Sequence, residues 1–343
     1  MLIKQAVSMC RETFGINHAK YADCLVDFGF YLLNIDSIAP SMQVYQNALE
    51  VRLNYFGGDN LRVAVAHEDL AYCSYVLEYS SGHFQDAKKH ALSSLSICSK
   101  LLPEQHLLLA SPKRVLALIL EEIAIDNEQN PLEKDMMLRK AEELHLFALK
   151  MSISCFGERN VQTAKHHGNL GRLYQTMHRY SAAEEMHLKA IRIKEDLLGP
   201  DDYEVALSVG HLASLYNYDM KEFSKAEQLY IRSIRIGIKL FGPSYSGLEY
   251  DYRGLIQVYN ATENQAKLEE FNNVLESWSI LKEEKEVAEQ DHGSVVDVKL
   301  SVSLTDLLNI VTSLPSLAAG SCSGASVVSR GLAPPKLAGK STT

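Results

Sequence analysis

The segment that decides the fold is GNLGRLY at residues 168–174, which returns as GHLASLY at residues 210–216 and as RGLIQVY at residues 253–259. Each copy keeps a leucine at the third place and a tyrosine at the seventh, which are Leu170 and Tyr174 in the first copy. Residues four apart lie on the same face of an α-helix, so the pattern predicts three helices with one shared apolar stripe. Repetition at intervals of 42 and 43 residues predicts one structural unit copied along the chain.

Helix-ending signals recur with similar regularity. A bulky residue followed by Gly or Pro closes six segments, at Phe14-Gly15, Phe56-Gly57, Leu102-Pro103, Phe156-Gly157, Leu198-Gly199 and Phe241-Gly242. Thirteen residues beyond each Gly or Pro stands a large apolar residue, namely Phe28, Leu70, Leu116, Leu170, Leu212 and Leu255. Because the offset is kept six times, we treat these residues as one equivalent position of the unit, the shared apolar position.

Small residues mark a second helix in each unit. Ala183 and Ala190 follow the first copy of the segment, and Ala226 and Ser233 follow the second. Side chains of this size let two packed helices approach closely, so we predict helical hairpins. The expected fold class is all-α, a solenoid of stacked hairpins. Extra chain is expected in the longer units at residues 79–82 and 126–131, which are rich in turn-forming residues.

Three regions follow from these patterns. Residues 1–20 are predicted to be the second helix of a truncated repeat, and residues 21–285 a superhelix of about five hairpins. Residues 286–343 are of low complexity, and from Pro315 onward Ser, Gly, Ala and Pro replace most large apolar residues. Such a composition does not offset the entropy of ordering a backbone, so we expect this tail to be largely disordered.

The overall composition narrows the functional class. The chain has 343 residues, of which 34 are basic and 43 acidic, and its formal net charge is −9. This balance argues against a nucleic-acid partner, because proteins that bind nucleic acids carry clustered basic charge. No apolar run approaches the ~20 residues of a transmembrane segment, and no secretory signal is expected. The six cysteines show no C-x-x-C spacing, which favours a reduced, cytoplasmic protein.

The repeated residues resemble the tetratricopeptide repeat, a helix-turn-helix unit of about 34 residues. The longer unit of this chain, with NLGRLY at residues 169–174, AEE at 183–185 and LLGPD at 197–201, is similar to the repeats of kinesin light chains. Residues 203–220 (YEVALSVGHLASLYNYDM) and 245–255 (YSGLEYDYRGL) resemble a family of adaptors that are themselves similar to kinesin light chain. That resemblance covers about residues 1–280.

The resemblance implies a non-enzymatic adaptor that binds peptides or C-terminal tails of other proteins. It implies association with microtubule-based transport through binding of the amyloid precursor protein cytoplasmic tail. It also implies a substrate receptor that selects C-terminal degrons ending in glycine for a cullin-RING ubiquitin ligase. We therefore expect a cytoplasmic protein without a cofactor, and association with the cytoskeleton, the nucleus or membrane surfaces stays open.

A ligand surface is predicted on the inner side of the stack. In curved arrays of hairpins the first helix of each unit lines the concave side. The residues one before and two after the shared apolar position are expected to point into this groove. Amide and guanidinium groups suit the carbonyl oxygens or the terminal carboxylate of a peptide. The predicted groove residues are Asn169, Arg172, His211, Ser214, Asn217, Arg253 and Gln257. The competing interpretation of Arg172 is an ion pair with a nearby glutamate.

Two other interpretations of the chain stay open. An enzyme would need paired titratable groups in one cleft, and Asp69 with His67, or His211 alone, come nearest to this requirement. A truncated paralogue would keep only part of the scaffold function, because losing half of a stacked array exposes an apolar end.

The twelve histidines do not predict a metal site. His166 and His167 are adjacent, and adjacent side chains on a helix point about 100° apart. His83 and His90 are separated by about two helical turns, which is too far for a shared ion without another helix. We therefore expect structural or surface histidines.

Overall fold

The computed structural model describes residues 2–35, 37–78, 84–127 and 129–291, and within these ranges it contains helices and no strand. The first helices of the units are α2 Ala19–Asn34, α4 Leu61–Glu78, α6 Ala110–Asp126, α8 Val161–Thr176, α10 Tyr203–Ser214 and α12 Leu248–Ala261. The second helices are α1 Leu2–Phe14, α3 Ile38–Phe56, α5 Gln85–Leu101, α7 Pro131–Phe156, α9 Tyr180–Leu198, α11 Phe223–Phe241 and α13 Gln265–Asp291. The predicted all-α fold is confirmed.

Each first helix packs against the second helix that follows it, which makes six hairpins in the described part of the chain. The sequence predicts about five. The sixth hairpin, α12 with α13, carries Leu268 and Leu275 where the repeated units have small residues. α1 stands before the hairpins and packs against α2.

The boundaries at the two ends can be compared only in part. α13 continues to Asp291, beyond the predicted end of the superhelix at residue 285. Residues 79–82, where extra chain was expected, lie outside the described residues. So do residues 292–343, which include most of the predicted tail.

Glycines with positive φ end five second helices, and Gly15 after α1 has φ 84°. Gly57, Gly157, Gly199 and Gly242 have φ between 77° and 90° and ψ between 160° and 177°. A β-carbon at these angles meets the neighbouring backbone, so this region is almost exclusive to glycine. The predicted helix ends are found there. α5 ends differently, since Leu102 adopts extended backbone with φ −123° before a proline.

Polar caps then begin several first helices. The side-chain oxygens of Asn60, Asn160 and Asp202 each accept a hydrogen bond of 2.8 Å from the backbone N–H two residues further on. Such bonds satisfy N–H groups that the first turn of a helix leaves without partners. Each cap lies three residues after a helix-ending glycine, so the turn between units has the same form at these three places.

The core divides at α8. Leu173 packs into a cluster with side chains of α2–α7, whereas Leu170 on the same helix packs into a cluster with α9–α12. We call α2–α7 the front half and α8–α13 the back half. Ala183 and Ala226 are fully buried, as expected where two helices of a hairpin approach closely. The shared apolar position is at most 5% exposed at Leu70, Leu116, Leu170, Leu212 and Leu255.

Candidate peptide-binding surface

Polar side chains join neighbouring first helices along the stack. Lys165 Nζ of α8 lies 2.8 Å from Glu204 Oε1 of α10. Gln175 Nε2 of α8 donates a hydrogen bond of 2.6 Å to Asp219 Oδ2, at the end of a π-helical turn that continues α10. These bonds follow the row of first helices, which is the surface predicted to hold a ligand.

Arg172 is part of this row and already has a carboxylate partner. Its Nη2 atom lies 3.2 Å from Glu121 Oε2 of α6, and the two side chains are 14% and 3% exposed. Thr176 Oγ1 donates to Glu121 Oε1 over 3.0 Å. The pairing with a glutamate that competed with the groove assignment is therefore present, but as a largely buried bond between units.

A second carboxylate lies beside this pair. Burial raises the pKa of Glu122 to about 7, and the charge of Glu121 adds to the rise while Arg172 opposes it. Tyr75 Oη donates to Glu122 Oε1 over 3.2 Å. Glu122 is thus harder to ionise than an exposed glutamate, and Glu121 is the carboxylate that bonds Arg172.

His211 is half-buried and lies in a row of rings. It stacks on His187 of α9 with ring centres 6.3 Å apart, and it meets the edge of Tyr250 at 6.4 Å. Burial lowers the pKa of His211 well below 6.5, and the nearby charge of Arg172 contributes. A neutral ring in this position is suited to packing between units.

The two predicted asparagines are also buried. Asn169 is 2% exposed and Asn217 is 1% exposed, so neither presents an amide to an open surface. Asn217 lies in the π-helical turn Leu215–Asp219, and its Nδ2 donates to the carbonyl of Gly254 over 3.2 Å. The sequence-based placement of these amides in an open groove is corrected, because the next unit covers this side of the helix.

The remaining predicted residues are more accessible. Ser214 is half-buried and Gln257 is exposed. Arg253 is exposed, and its guanidinium lies 2.9 Å from Glu249 one helical turn away. Of the seven predicted groove residues, Arg253 and Gln257 are exposed, whereas Ser214, His211 and Arg172 are half-buried.

Sequence reasoning missed Arg114 of α6. This half-buried side chain places its guanidinium carbon 6.0 Å from the centre of the Tyr72 ring on α4. It stands two residues before the shared apolar Leu116, in a unit that lacks the repeated Leu-Gly pattern. Only its equivalence with Arg253, which also stands two residues before a shared apolar position, could have indicated it.

The titratable residues that the sequence offered for an enzyme or a metal site are placed as follows. His67 Nδ1 lies 2.9 Å from His90 Nδ1, and Asp69 is buried. Across the described residues, no group of three or more His, Cys, Asp or Glu side chains is arranged to hold a metal ion. None of the described helices is long and apolar enough to cross a bilayer. His83 lies outside the described residues.

Two family models, both described as tetratricopeptide repeat, match residues 133–196 and 205–244. They cover α7–α9 and α10–α11, including Leu170, Gly171 and Tyr174 and the first repetition of that pattern. Together with the six stacked hairpins, these matches show that the chain is a tetratricopeptide-repeat protein.

Within that class, the chain is homologous over most of its length to amyloid protein-binding protein 2. It is 63% identical to the protein of that name from Rattus norvegicus over 282 residues, which is 82% of this chain and 48% of the relative. It is 58% identical to the Mus musculus protein over 314 residues, which is 92% of this chain and 51% of the relative. The chain spans about half the length of these curated relatives.

Solved structures with a similar path of the chain include BtubC (BKLC) from P. vanneervenii, with a TM-score of 0.49 and 20% identity over 79% of this chain and 95% of that one. Another is a Podosopora anserina protein described as a kinesin light chain with nearly identical TPR-like repeats. Its TM-score is 0.47 and its identity 16%, over 65% of this chain and 96% of that one.

Proposed function

We propose that this chain is a non-enzymatic adaptor that holds a peptide of another protein on the row of first helices. The observation that carries the proposal is the 58–63% identity to relatives named for binding amyloid protein. The repeat architecture supports it, because stacked hairpins present an extended surface built from many units. Recognition is the whole of the mechanism, and no bond is made or broken.

The side chains at this surface have two roles, contact with the peptide and linkage of neighbouring units. Arg253, Gln257 and Ser214 are the accessible donors, and they suit the carbonyl oxygens of an extended peptide. Arg172 and Asn217 hold neighbouring units in place through Glu121 and Gly254. A peptide would therefore meet a surface that is shaped before it binds, which lowers the entropic cost of association.

The name of the relatives makes an amyloid protein the first partner to test, and we propose the cytoplasmic tail of the amyloid precursor protein as the peptide. We further propose a place in microtubule-based transport, or in the selection of C-terminal degrons for a cullin-RING ubiquitin ligase. Both roles place the chain in the cytoplasm, at the cytoskeleton, at membrane surfaces or in the nucleus.

Titration of a fluorescent amyloid precursor tail peptide, followed by anisotropy, tests the proposal. We expect saturable binding that weakens several-fold in a Ser214→Ala, Gln257→Ala double variant. Lys239→Ala is the matched control, because its exposed ammonium pairs with Asp201 on the outer side of a unit turn. Equal binding of a scrambled peptide, or equal affinity of the double variant, would count against the assignment.

A scaffold that keeps only part of its relatives' function is the second candidate. The observation that favours it is the coverage of 48–51% of those proteins. Microtubule pelleting and co-precipitation with cullin-RING components separate the two candidates, with a full-length relative as the positive control. Tail binding without either attachment would support a partial scaffold, while persistent aggregation of the chain would point to a truncated paralogue.

A further inference from the structure

Arg114 differs from the other arginines on the first helices, which are Arg62, Arg172 and Arg253 and which all form ion pairs. Arg172 and Lys165 of α8 each lie within hydrogen-bond distance of a glutamate on another first helix. Arg62 of α4 pairs with Asp23 at 2.9 Å. Arg114 makes no ion pair and no hydrogen bond with any residue in the described part of the chain. Its guanidinium instead lies over the face of the Tyr72 ring.

No carboxylate of the described residues lies within ion-pair distance of Arg114. On the preceding first helix, Glu68 Oε1 accepts a hydrogen bond from Ser111, and Asp69 is buried. His145 and His166 face the same region, and burial, with help from the charge of Arg114, lowers the pKa of both rings. A half-buried guanidinium beside neutral rings gains from an incoming anion more than an exposed one does, because it has already lost part of its hydration.

The equivalent position on the next first helix carries no side chain. Gly168 of α8 stands two residues before Leu170, as Arg114 stands two residues before Leu116. A β-carbon added at Gly168 would meet no atom within 4 Å. Space is therefore open at the position of α8 that corresponds to Arg114.

We propose that Arg114, held against the Tyr72 ring, binds the side-chain carboxylate of an Asp or Glu in the partner peptide. A guanidinium offers two parallel N–H donors that match the two oxygens of a carboxylate, and an aromatic face holds its plane without competing for those donors. The row of first helices continues on both sides of α6, with α4 and α8, so a peptide lying along the row can extend past Arg114 in both directions and present a side chain to it. This inference rests on the proposed peptide-binding function.

The test begins with peptides selected by the wild-type chain from a displayed library of random dodecapeptides. Binders are synthesised with a free and with an amidated C-terminus, and each Asp or Glu of the amidated form is replaced by Asn or Gln. We expect one such replacement to weaken binding about tenfold to a hundredfold. The same replacement should have no effect on binding by Arg114→Gln, and a smaller effect with Arg114→Lys, which keeps the charge but loses the paired donors.

Arg139→Gln is the matched control, because Arg139 is an exposed arginine of a second helix that pairs with Asp135. It should retain the full response to the acidic residue. Melting curves establish that each variant is folded, and Arg114→Lys keeps the test decisive if Arg114→Gln does not fold. The inference is overturned if no acidic residue matters, if the loss persists undiminished in both Arg114 variants, or if only the free C-terminus affects affinity.

A readout without a peptide separates this inference from the proposed function. The arginine Nε–Hε signals of the labelled chain are followed by NMR during titration with sodium glutarate, and the Arg114 signal is assigned by its absence in Arg114→Lys. A saturable shift of that signal supports a carboxylate site even if no library peptide binds, in which case only the proposed function fails. No shift in the millimolar range would overturn the inference while selected peptides could still bind.

Discussion

The back half of the stack joins its units with polar bonds at a place where the front half uses uncharged side chains. In the back half, Tyr216 Oη donates to Glu184 Oε1 over 2.5 Å, and Tyr259 Oη donates to Glu227 Oε1 over 2.8 Å. In both pairs the tyrosine stands 32 residues after the glutamate, in the next unit. The same contact is therefore repeated along with the unit.

The equivalent positions of the front half are Ser74 in α4 and Leu120 in α6, and both are buried. Leu118 and Ile119, next to them, are fully buried. The comparison shows that the same hairpin geometry is compatible with polar bonds or with uncharged packing between neighbouring units. Small residues and glycine ends set the geometry within a hairpin. The side chains between hairpins therefore need only to fill the space there and to give any buried polar group a hydrogen-bond partner.

The two halves meet at a row of four histidines, of which three are buried and His211 is half-buried. His145, His166, His187 and His211 lie on the four successive helices α7–α10, and burial lowers the pKa of each ring. The charge of Arg172 acts on three of them. Polar groups in the middle of the stack are thus coupled to the Arg172–Glu121 bond that links α6 with α8.

Removing that link should have the largest effect. Arg172→Met leaves Glu121 buried without its charged partner, and we expect the free energy of unfolding to fall by about 3 kcal/mol. Arg253→Met breaks the exposed pair with Glu249 and should change it by less than about 0.5 kcal/mol. Urea unfolding measures the free energy of unfolding of both variants. Similar losses of stability in the two would show that burial does not make the Arg172–Glu121 pair more important than the exposed one.

Acid should then weaken the middle of the stack. His166 and His187 have pKa values of about 3 in the folded chain, because of burial, and about 6.5 when unfolded. Their contribution is complete above pH 6.5 and is lost as pH falls from 6.5 towards 3, because the unfolded state then binds more protons. Between pH 7.5 and 5.5 we expect a loss of about 1.4 kcal/mol for each ring.

Chemical denaturation of the wild type and of His187→Asn at both pH values checks this expectation. The variant should lose less stability between the two pH values, by the contribution of one ring. An unchanged difference would mean that His187 does not titrate on unfolding as described.

A glycine in each half tests close packing inside the hairpins. A β-carbon at Gly171 would lie 2.8 Å from the His187 ring, and one at Gly29 in the front half would lie 2.8 Å from the Tyr45 ring. We expect Gly171→Ala and Gly29→Ala each to lower stability by about 1–3 kcal/mol. Gly168→Ala, where nothing lies within 4 Å, should raise it by about 0.5–1 kcal/mol through helix propensity. Thermal melts of the three variants measure these changes in stability. A loss of stability in Gly168→Ala would contradict the packing argument.

The smallest effect is expected from the repeated tyrosine. Tyr216→Phe keeps the ring and removes the donor to Glu184, so stability should fall by about 1 kcal/mol. Tyr31→Phe in the front half, where the side chain is 39% exposed, should stay within about 0.5 kcal/mol of the wild type. If the two substitutions were equivalent, the polar junctions of the back half would add nothing to stability beyond packing.

Much of the fold could be predicted because its determinants are local. The glycine ends need only the conformational preference of one residue, and the apolar stripe needs only residues three or four apart. The buried positions of Leu170, Leu212 and Leu255 were predicted on this basis. The π-helical turn Leu215–Asp219 after α10 was not predicted. The sequence there repeats the leucine and tyrosine spacing of the regular helices, with Leu212 and Tyr216.

The candidate surface was predicted less well. Asn169 and Asn217 have the right chemistry for a groove, yet they are buried, since the rotation of one unit against the next decides which face of a helix stays open. Arg114 was missed for the opposite reason. Its surroundings come from helices α4, α7 and α8, which no pattern around residue 114 describes.

By itself, the sequence determined the helical hairpin, its repetition and the places where helices end, because these depend on interactions within a few residues. The tertiary structure alone decided which polar groups meet across units. Arg172 bonds a glutamate 51 residues earlier, whereas Arg114 contacts the Tyr72 ring and forms no ion pair within the described residues. Such partners depend on how each hairpin stacks on the next, and stacking is a sum of contacts spread over many residues that no single motif encodes.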